Sequence, residues 1–292
     1  MKRLENLALE KVLICDGAMG TELQRRGLTA GECPELWCLN KPEIVEEIHR
    51  TYQAAGSDIV ETNTFCASRY KLRRFGLEHK VAEICRAGAS LARGVAGDAQ
   101  FVLASMGPTG EFMHPLGLET EEMFYEAFRE QALAFEEGGA DAVIVETMSS
   151  IEECCVAVRA VRENTDLTCV ASFTFDPLAD GRYASMMGVY PDVFARQALA
   201  AGAHIIASNC GLGSEHMLKI IELLKKEVAD TPILAMPNAG MPVLQNEETV
   251  FLESPEIFAA KAADLISAGA SIIGGCCGTS PAHIAALKKM VS

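Results

Sequence analysis

The sequence predicts a single-domain α/β fold, a (β/α)8 TIM barrel spanning residues 1–292. Three observations carry this expectation: eight short apolar runs recur along the chain, amphipathic helical stretches lie between them, and four helix-to-strand joints repeat one pattern. A run of about four apolar residues is too short for a helix, and without polar alternation it reads as a parallel strand buried on both faces. Units of this βα kind, joined by right-handed crossovers, close naturally into a barrel. An open doubly wound sheet usually has fewer strands and a phosphate-binding glycine fingerprint; neither G-x-G-x-x-G nor G-x-x-x-x-G-K-[ST] occurs here.

In chain order the predicted strands are Val12-Leu13-Ile14-Cys15, Asp58-Ile59-Val60-Glu61, Phe101-Val102-Leu103-Ala104 and Ala142-Val143-Ile144-Val145, followed by Leu167-Thr168-Cys169-Val170, His204-Ile205-Ile206-Ala207, Pro232-Ile233-Leu234-Ala235 and Ser271-Ile272-Ile273-Gly274. Helical periodicity is plainest over Thr120 to Glu137, Ile151 to Val161, Ser214 to Val228 and Pro255 to Ser267. The repeated joints are centred on Gly56, Gly139, Gly202 and Gly269, where a left-handed residue can end a helix before the chain enters the next strand. Long loops are expected at about 17–42 and 238–254, and no Ser/Pro-rich linker divides the chain.

Composition narrows the function. Hydrophobic residues at 49% and charged residues at 22% are globular values, and 40 acidic against 25 basic side chains give a net charge of −15. Such a charge repels nucleic acid and anionic membrane surfaces, so neither is an expected partner. The N-terminal segment carries charge where a signal peptide needs an apolar stretch, and no membrane-length apolar run follows, which points to a cytoplasmic location. Eleven cysteines in such a chain are expected to be reduced thiols.

Barrel chemistry sits at the C-terminal ends of the strands. The polar groups that follow the predicted strands are Asp16, Glu61-Thr62-Asn63, Ser105, Glu146-Thr147, Ser172, Thr174, Asn209-Cys210, Asn238 and Cys276-Cys277. Adjacent strand residues point to opposite faces, so Cys276 and Cys277 can address one ion only where the backbone leaves the strand, and glycines flank them to allow it. The helix that follows is expected to open on Ser280 or Thr279 as cap, with Pro281 in its first turn. Cys210 falls at the same rim after the sixth strand. Three thiolates with a fourth position left open describe a catalytic zinc site, although this spacing is no zinc signature by itself and buried cysteine is often only a small hydrophobe.

The other cysteines serve as controls. Cys154-Cys155 lies in a helical pattern without glycine and reads as packing; Cys33 and Cys38 are incidental; Cys15, Cys66, Cys85 and Cys169 read as buried. Zinc held by three thiolates is a weak Lewis acid, better suited to binding a substrate thiol and favouring its thiolate than to activating water. Glu146 or Asp16 can take the ammonium of an amino-acid substrate, and the N–H groups of Gly17-Ala18-Met19-Gly20 its carboxylate; a helix cap or a salt bridge is the structural alternative for the two acids.

With these residues in place the chain resembles the homocysteine S-methyltransferase family over nearly its full length, most closely the homocysteine-binding domain of cobalamin-dependent methionine synthases. The resemblance is carried by Asp16-Gly17-Ala18-Met19-Gly20-Thr21, Glu61-Thr62-Asn63-Thr64-Phe65, Gly107-Pro108-Thr109-Gly110, Glu146-Thr147, Asn209-Cys210, Pro237-Asn238-Ala239-Gly240 and Gly274-Gly275-Cys276-Cys277-Gly278-Thr279. It implies zinc on Cys210, Cys276 and Cys277, a homocysteine thiol on the zinc, and substrate contacts from Asp16, Gly17, Ala18, Glu146, Asn209 and Asn238. The Glu61-Thr62-Asn63-Thr64-Phe65 and Gly107-Pro108-Thr109-Gly110 segments look more like the corrinoid-dependent branch than like enzymes using betaine or S-methylmethionine, which implies methylcobalamin, or a methyl-corrinoid on a separate protein, as methyl donor. Met187 departs from the family pattern, which usually has a small hydroxyl residue there, and puts the identity of the thiol in question. Two other readings stay open: a thiol- or corrinoid-protein-binding module without turnover of its own, and a metal-free lyase or hydrolase using Glu146.

Overall fold

The computed structural model describes residues 2–228, 230–245 and 248–292. Eight parallel strands form one sheet: β1 (Leu13–Ile14), β2 (Ile59–Glu61), β3 (Phe101–Met106), β4 (Ala142–Met148), β5 (Thr168–Phe173), β6 (Ile205–Gly213), β7 (Ile233–Asn238) and β8 (Ile272–Ile273). They run side by side in chain order, with β1 paired to β8 through Leu13 opposite Ile272. The remaining seam, between β1 and β2, is closed by a parallel bridge from Cys15 to Ile59 and by the Asp58 N–H donating to Ile14 O at 2.7 Å. The sheet is therefore a barrel.

The strands are buried on both faces, and successive side chains alternate between the barrel interior and the helix layer. Leu13, Cys15, Ile59, Leu103, Ile144, Val170, Ile205, Leu234 and Ile272 point inward and pack on one another, with Leu4 and Ala8 of the N-terminal turn of helix (Leu4–Ala8) packed into the same cluster. Ile14, Ala104, Val143, Cys169, Ile206, Ala235 and Ile273 point outward into the layer between sheet and helices. One long helix follows each strand, with shorter helical turns also present after β1 and β2: α1 (Pro42–Ala54), α2 (Val81–Ala96), α3 (Glu121–Glu137), α4 (Ile151–Asn164), α5 (Pro191–Ala201), α6 (Ser214–Glu227), α7 (Pro255–Ser267) and α8 (Pro281–Val291). Thr120, Ser150 and Ser254 cap α3, α4 and α7, each accepting a backbone N–H three residues on. Ser280 caps α8, and the His283 imidazole completes the reciprocal pair.

Two expectations are corrected. The segments foreseen as loops at 17–42 and 238–254 carry structure: the first holds helical turns at Met19–Arg25, Pro34–Leu36 and Trp37–Asn40, and the second a hairpin pairing Pro242–Gln245 with Glu248–Phe251. Residues 246 and 247 of the second segment lie outside the described ones. Helix α4 also runs three residues past its expected end at Val161, because Arg162, Glu163 and Asn164 continue a helix-compatible sequence. Among the described residues no helix is long and apolar enough to cross a membrane.

One buried group makes the fold sensitive to acid. His49 on α1 is fully buried, neither ring nitrogen has a hydrogen-bond partner, and burial pushes its pKa down to about 4. The unfolded chain takes up this proton below about pH 6.5 while the folded chain refuses it until about pH 4, so the stability present at neutral pH is lost as the pH falls through that window. Over the window from about pH 6.5 to about pH 5 this difference in proton uptake corresponds to about 2 kcal/mol. Denaturant unfolding of His49→Leu at pH 7 and pH 5 is expected to show a pH-dependent loss smaller by about that amount; an unchanged difference would remove His49 from the explanation.

Candidate metal and substrate site

Three cysteines meet at the C-terminal mouth of the barrel. The Sγ atoms of Cys210 and Cys277 are 4.0 Å apart, those of Cys276 and Cys277 also 4.0 Å, and all three lie within 4.8 Å of one another. They come from β6 and from the turn after β8, which are separated in the sheet by β7. Local backbone geometry aims them. Cys210 has φ 61° and is followed by Gly211 at φ 66°, which turns the cysteine out of the strand direction and shifts the register between β6 and β7. The Cys276-Cys277 turn is pinned from three sides: Cys276 N–H donates to Pro237 O at 2.9 Å, Cys277 O accepts from Ala239 N–H at 3.0 Å, and Thr279 Oγ1 donates to Cys276 O at 2.7 Å. Gly275 is required where it stands, since a Cβ there would lie 2.5 Å from Thr279 Cγ2.

The trio favours negative charge. Hydrogen bonds from Cys276 and then Cys277 draw the Cys210 thiol down to about 3, while donating to Cys210 pushes Cys276 well up and Cys277 to about 11. One thiolate shared by two S–H donors is what three close thiols hold by themselves; full ionisation requires a cation. The spacing suits one. A tetrahedral ion with metal–sulfur bonds of about 2.3 Å holds its sulfurs about 3.8 Å apart. Among the described residues no fourth His, Cys, Asp or Glu joins the group.

Beside the thiols stands a group of buried carboxyls. Asp16 is 1% exposed, and burial raises its pKa to about 8 against the opposing hydrogen bond from Glu61 N–H to Oδ2 at 2.9 Å. Burial likewise raises Glu61 and Glu146, with mutual repulsion among the three acids adding to the effect on Glu61. Glu61 Oε1 is buried and without a hydrogen-bond partner. Neither Asp16 nor Glu146 caps a helix or forms an ion pair among the described residues, so the structural alternative weighed for them is absent. Carboxyls this buried, with no cation beside them, form an environment that an ammonium group would relieve. Glu61 stands in the expected ring of rim residues but not among the expected substrate contacts; the signal for it is its place at the C-terminal end of β2, beside Asp16 across the closing seam.

The other expected residues gather here in different ways. Gly17 is held close, since a Cβ would meet Thr279 Oγ1 at 2.8 Å and the Tyr52 ring at 3.0 Å. The Ala18 N–H donates to Thr279 Oγ1 at 3.1 Å, so this donor is already engaged, and anion binding by the segment falls to its neighbours. Asn238 donates from Nδ2 to Gly211 O at 2.8 Å, and its buried Oδ1 has no partner, an acceptor available beside the thiols. Asn209 is 1% exposed and bonded on every side, as described below. The control cysteines stay apart from the trio: Cys154 is buried, Cys155 directs its sulfur to Gln197 O at 3.7 Å, Cys33 to Glu35 and Cys38 to Asn63 O. Met186 and Met187, on the loop between β5 and α5, are 81% and 38% exposed.

The homocysteine S-methyltransferase family model matches residues 13–291. The chain belongs to the homocysteine S-methyltransferase family. Curated relatives include the methionine synthases of Mycobacterium leprae (strain TN), 34% identical over 303 residues, and Mycobacterium tuberculosis (strain ATCC 25618 / H37Rv), 34% identical over 297 residues. These alignments cover 96% and 94% of this chain but 24% of each relative, so the chain spans about a quarter of the length of the curated relatives it matches. Among solved structures, the metallated form of the homocysteine methyltransferase MmuM from Escherichia coli superposes with a TM-score of 0.78, at 24% identity and 96% coverage of both chains. Its apo form gives a TM-score of 0.74 at the same identity and coverage. At that identity the likeness establishes the barrel fold that this family member shares.

Proposed function

We propose that this member of the homocysteine S-methyltransferase family is a zinc-dependent S-methyltransferase that methylates a thiol, homocysteine, to give methionine, with a methyl-corrinoid as donor. The observation that carries the reading is the meeting of the Cys210, Cys276 and Cys277 sulfurs within 4.8 Å of one another at the mouth of the barrel. Zinc bound there would take the substrate sulfur at its remaining position and favour the thiolate at neutral pH.

The chain's own residues do the rest. The Glu146 carboxylate, flanked by Asp16 and Glu61, holds the substrate ammonium in a buried setting where a charge pair is strong. N–H groups of the Gly17-Ala18-Met19-Gly20 turn face the substrate carboxylate, with Ala18 committed to Thr279 and the turn braced by Tyr52 Oη donating to Ala18 O at 3.2 Å. Held at both ends, the thiolate is oriented for in-line attack on the donor methyl: the sulfur–carbon bond forms as the donor leaves with the electron pair of the broken bond. Asn238, with its unpartnered Oδ1, is the further contact for the substrate or the ion.

Purified protein loaded with zinc and incubated with homocysteine and methylcobalamin tests the reading, with methionine as the expected product. Zinc and thiol binding without product would support a binding module that needs a further protein. Absence of both metal and thiol binding would leave the metal-free alternative with Glu146 as base.

A further inference from the structure

The two residues outside glycine with positive φ among those described are Thr147, at 56°, and Cys210, at 61°. Left-handed backbone is costly for a β-branched residue such as threonine and persists where surroundings enforce it. Both sit at the barrel mouth, one strand apart on either side of β5, and both coincide with a register shift, in β4 after Val145 and in β6 after Asn209. In a regular strand Thr147 would point away from Glu146, and Cys210 away from Asn209. The kinks bring each pair to the mouth together.

One amide joins the two kinks. Asn209 Nδ2 donates to Glu146 Oε2 at 2.7 Å and to Thr147 Oγ1 at 2.8 Å. Its Oδ1 accepts from the Thr147 N–H at 3.0 Å and from Ser172 Oγ at 2.7 Å, and its main-chain O accepts from Thr174 Oγ1 at 3.0 Å. A primary amide has two N–H donors and two acceptor sites on its oxygen, and all four are spent inside the protein. The orientation of the amide is fixed as well, because the Thr147 N–H can only donate and an ionised Glu146 can only accept. A side chain this saturated has no capacity left for a substrate without breaking a bond it already makes.

We propose that Asn209 is a positioning residue: together with Thr147 it latches Glu146 to the Cys210 segment and so fixes the span between the ammonium-binding carboxylate and the sulfur-binding trio, which sets the length of mercapto amino acid accepted. This rests on the functional reading above and deepens it. The span is a property of two strand ends that do not pair in the sheet, where β5 lies between them, and the latch, with Ser172 and Thr174 of the β5 segment, ties them together by polar side-chain bonds. Homocysteine differs from its shorter homologue, cysteine, and its longer one, 2-amino-5-mercaptopentanoate, by one methylene each way, so a rigid span discriminates among them and a slack one does not.

The test uses zinc-loaded wild type, Asn209→Ala, Thr147→Val and Thr147→Ser. Zinc content is measured for each, and kcat and KM are determined for the three thiols with methylcobalamin as donor, alongside thiol binding by zinc-edge absorption. Thr147→Val keeps the shape and removes one acceptor of the latch; Thr147→Ser restores a hydroxyl. The expected result is retained zinc, a preference for homocysteine over both homologues that falls at least tenfold in Asn209→Ala and severalfold in Thr147→Val, and recovery in Thr147→Ser. Equal loss of kcat/KM for all three thiols, with the preference intact, would overturn the latch while leaving the functional reading standing. Should Asn209→Ala fail to fold or hold zinc, an unchanged preference in Thr147→Val would overturn it. A wild type that binds none of the three thiols would overturn the functional reading and the latch together.

Discussion

On the proposed reading, replacing Cys210 with alanine is expected to take zinc from about one ion per chain to near zero and to lower methyl transfer about three thousandfold, with the barrel intact. Two losses multiply. Without the ion a substrate thiol with a pKa near 8.5 is only a few per cent thiolate at neutral pH, a loss of about thirtyfold, and an unanchored sulfur forfeits orientation that contributes about a hundredfold or more. Cys276→Ala and Cys277→Ala behave alike, since each removes one of three sulfurs that lie within 4.8 Å of one another. Cys154→Ala and Cys155→Ala keep full zinc, because these residues lie on α4, away from the trio. Metal analysis and activity on all five variants decide the matter. Equal zinc loss in both groups would mean that the cysteines act through packing.

Glu146→Gln is expected to raise KM for homocysteine about a hundredfold while zinc is retained. The side chain is 6% exposed, Ser105 Oγ and Asn209 Nδ2 hold its two oxygens, and Gln preserves its shape but not its charge. Removing one member of a desolvated charge pair costs about 3 kcal/mol, which is the stated hundredfold. The control is 4-mercaptobutyrate, which presents a thiol and a carboxylate but no ammonium: its binding should be little changed by the substitution. Equal weakening of both thiols would assign Glu146 to the architecture of the mouth and withdraw its role as ammonium partner.

Much of this molecule is visible in one dimension. The strands occur where continuous apolar runs fall, and α7 spans the residues its periodicity marks, Pro255–Ser267, because its face is buried against a neighbouring layer that helical spacing already implies. The control pair Cys154-Cys155 sits in a helix for the same reason. Less visible was the extension of β4 to Met148 and β6 to Gly213, since the left-handed turns at Thr147 and Cys210 arise at residues with no propensity for them. No pattern announces a strained threonine; the network around it holds it there. The hairpin pairing Pro242–Gln245 with Glu248–Phe251 is likewise not marked in the sequence: its strands are four residues each, mix polar with apolar residues, and pair with each other outside the barrel sheet.

What the sequence by itself determined is the count and order of βα units and the residue types placed at each strand end, because secondary structure and burial follow from local spacing of apolar side chains. Which of those residues meet was decided only by closure of the barrel at Cys15 and Ile59, which brings Asp16 beside Glu61. Occupancy was decided there too: the Ala18 N–H is taken by Thr279 and the Asn209 amide is spent on its neighbours, leaving Asn238 with a free acceptor. A hydrogen-bonding group is either committed or available according to what stands within 3 Å of it, and that is a property of packing across the chain that spacing along it does not contain.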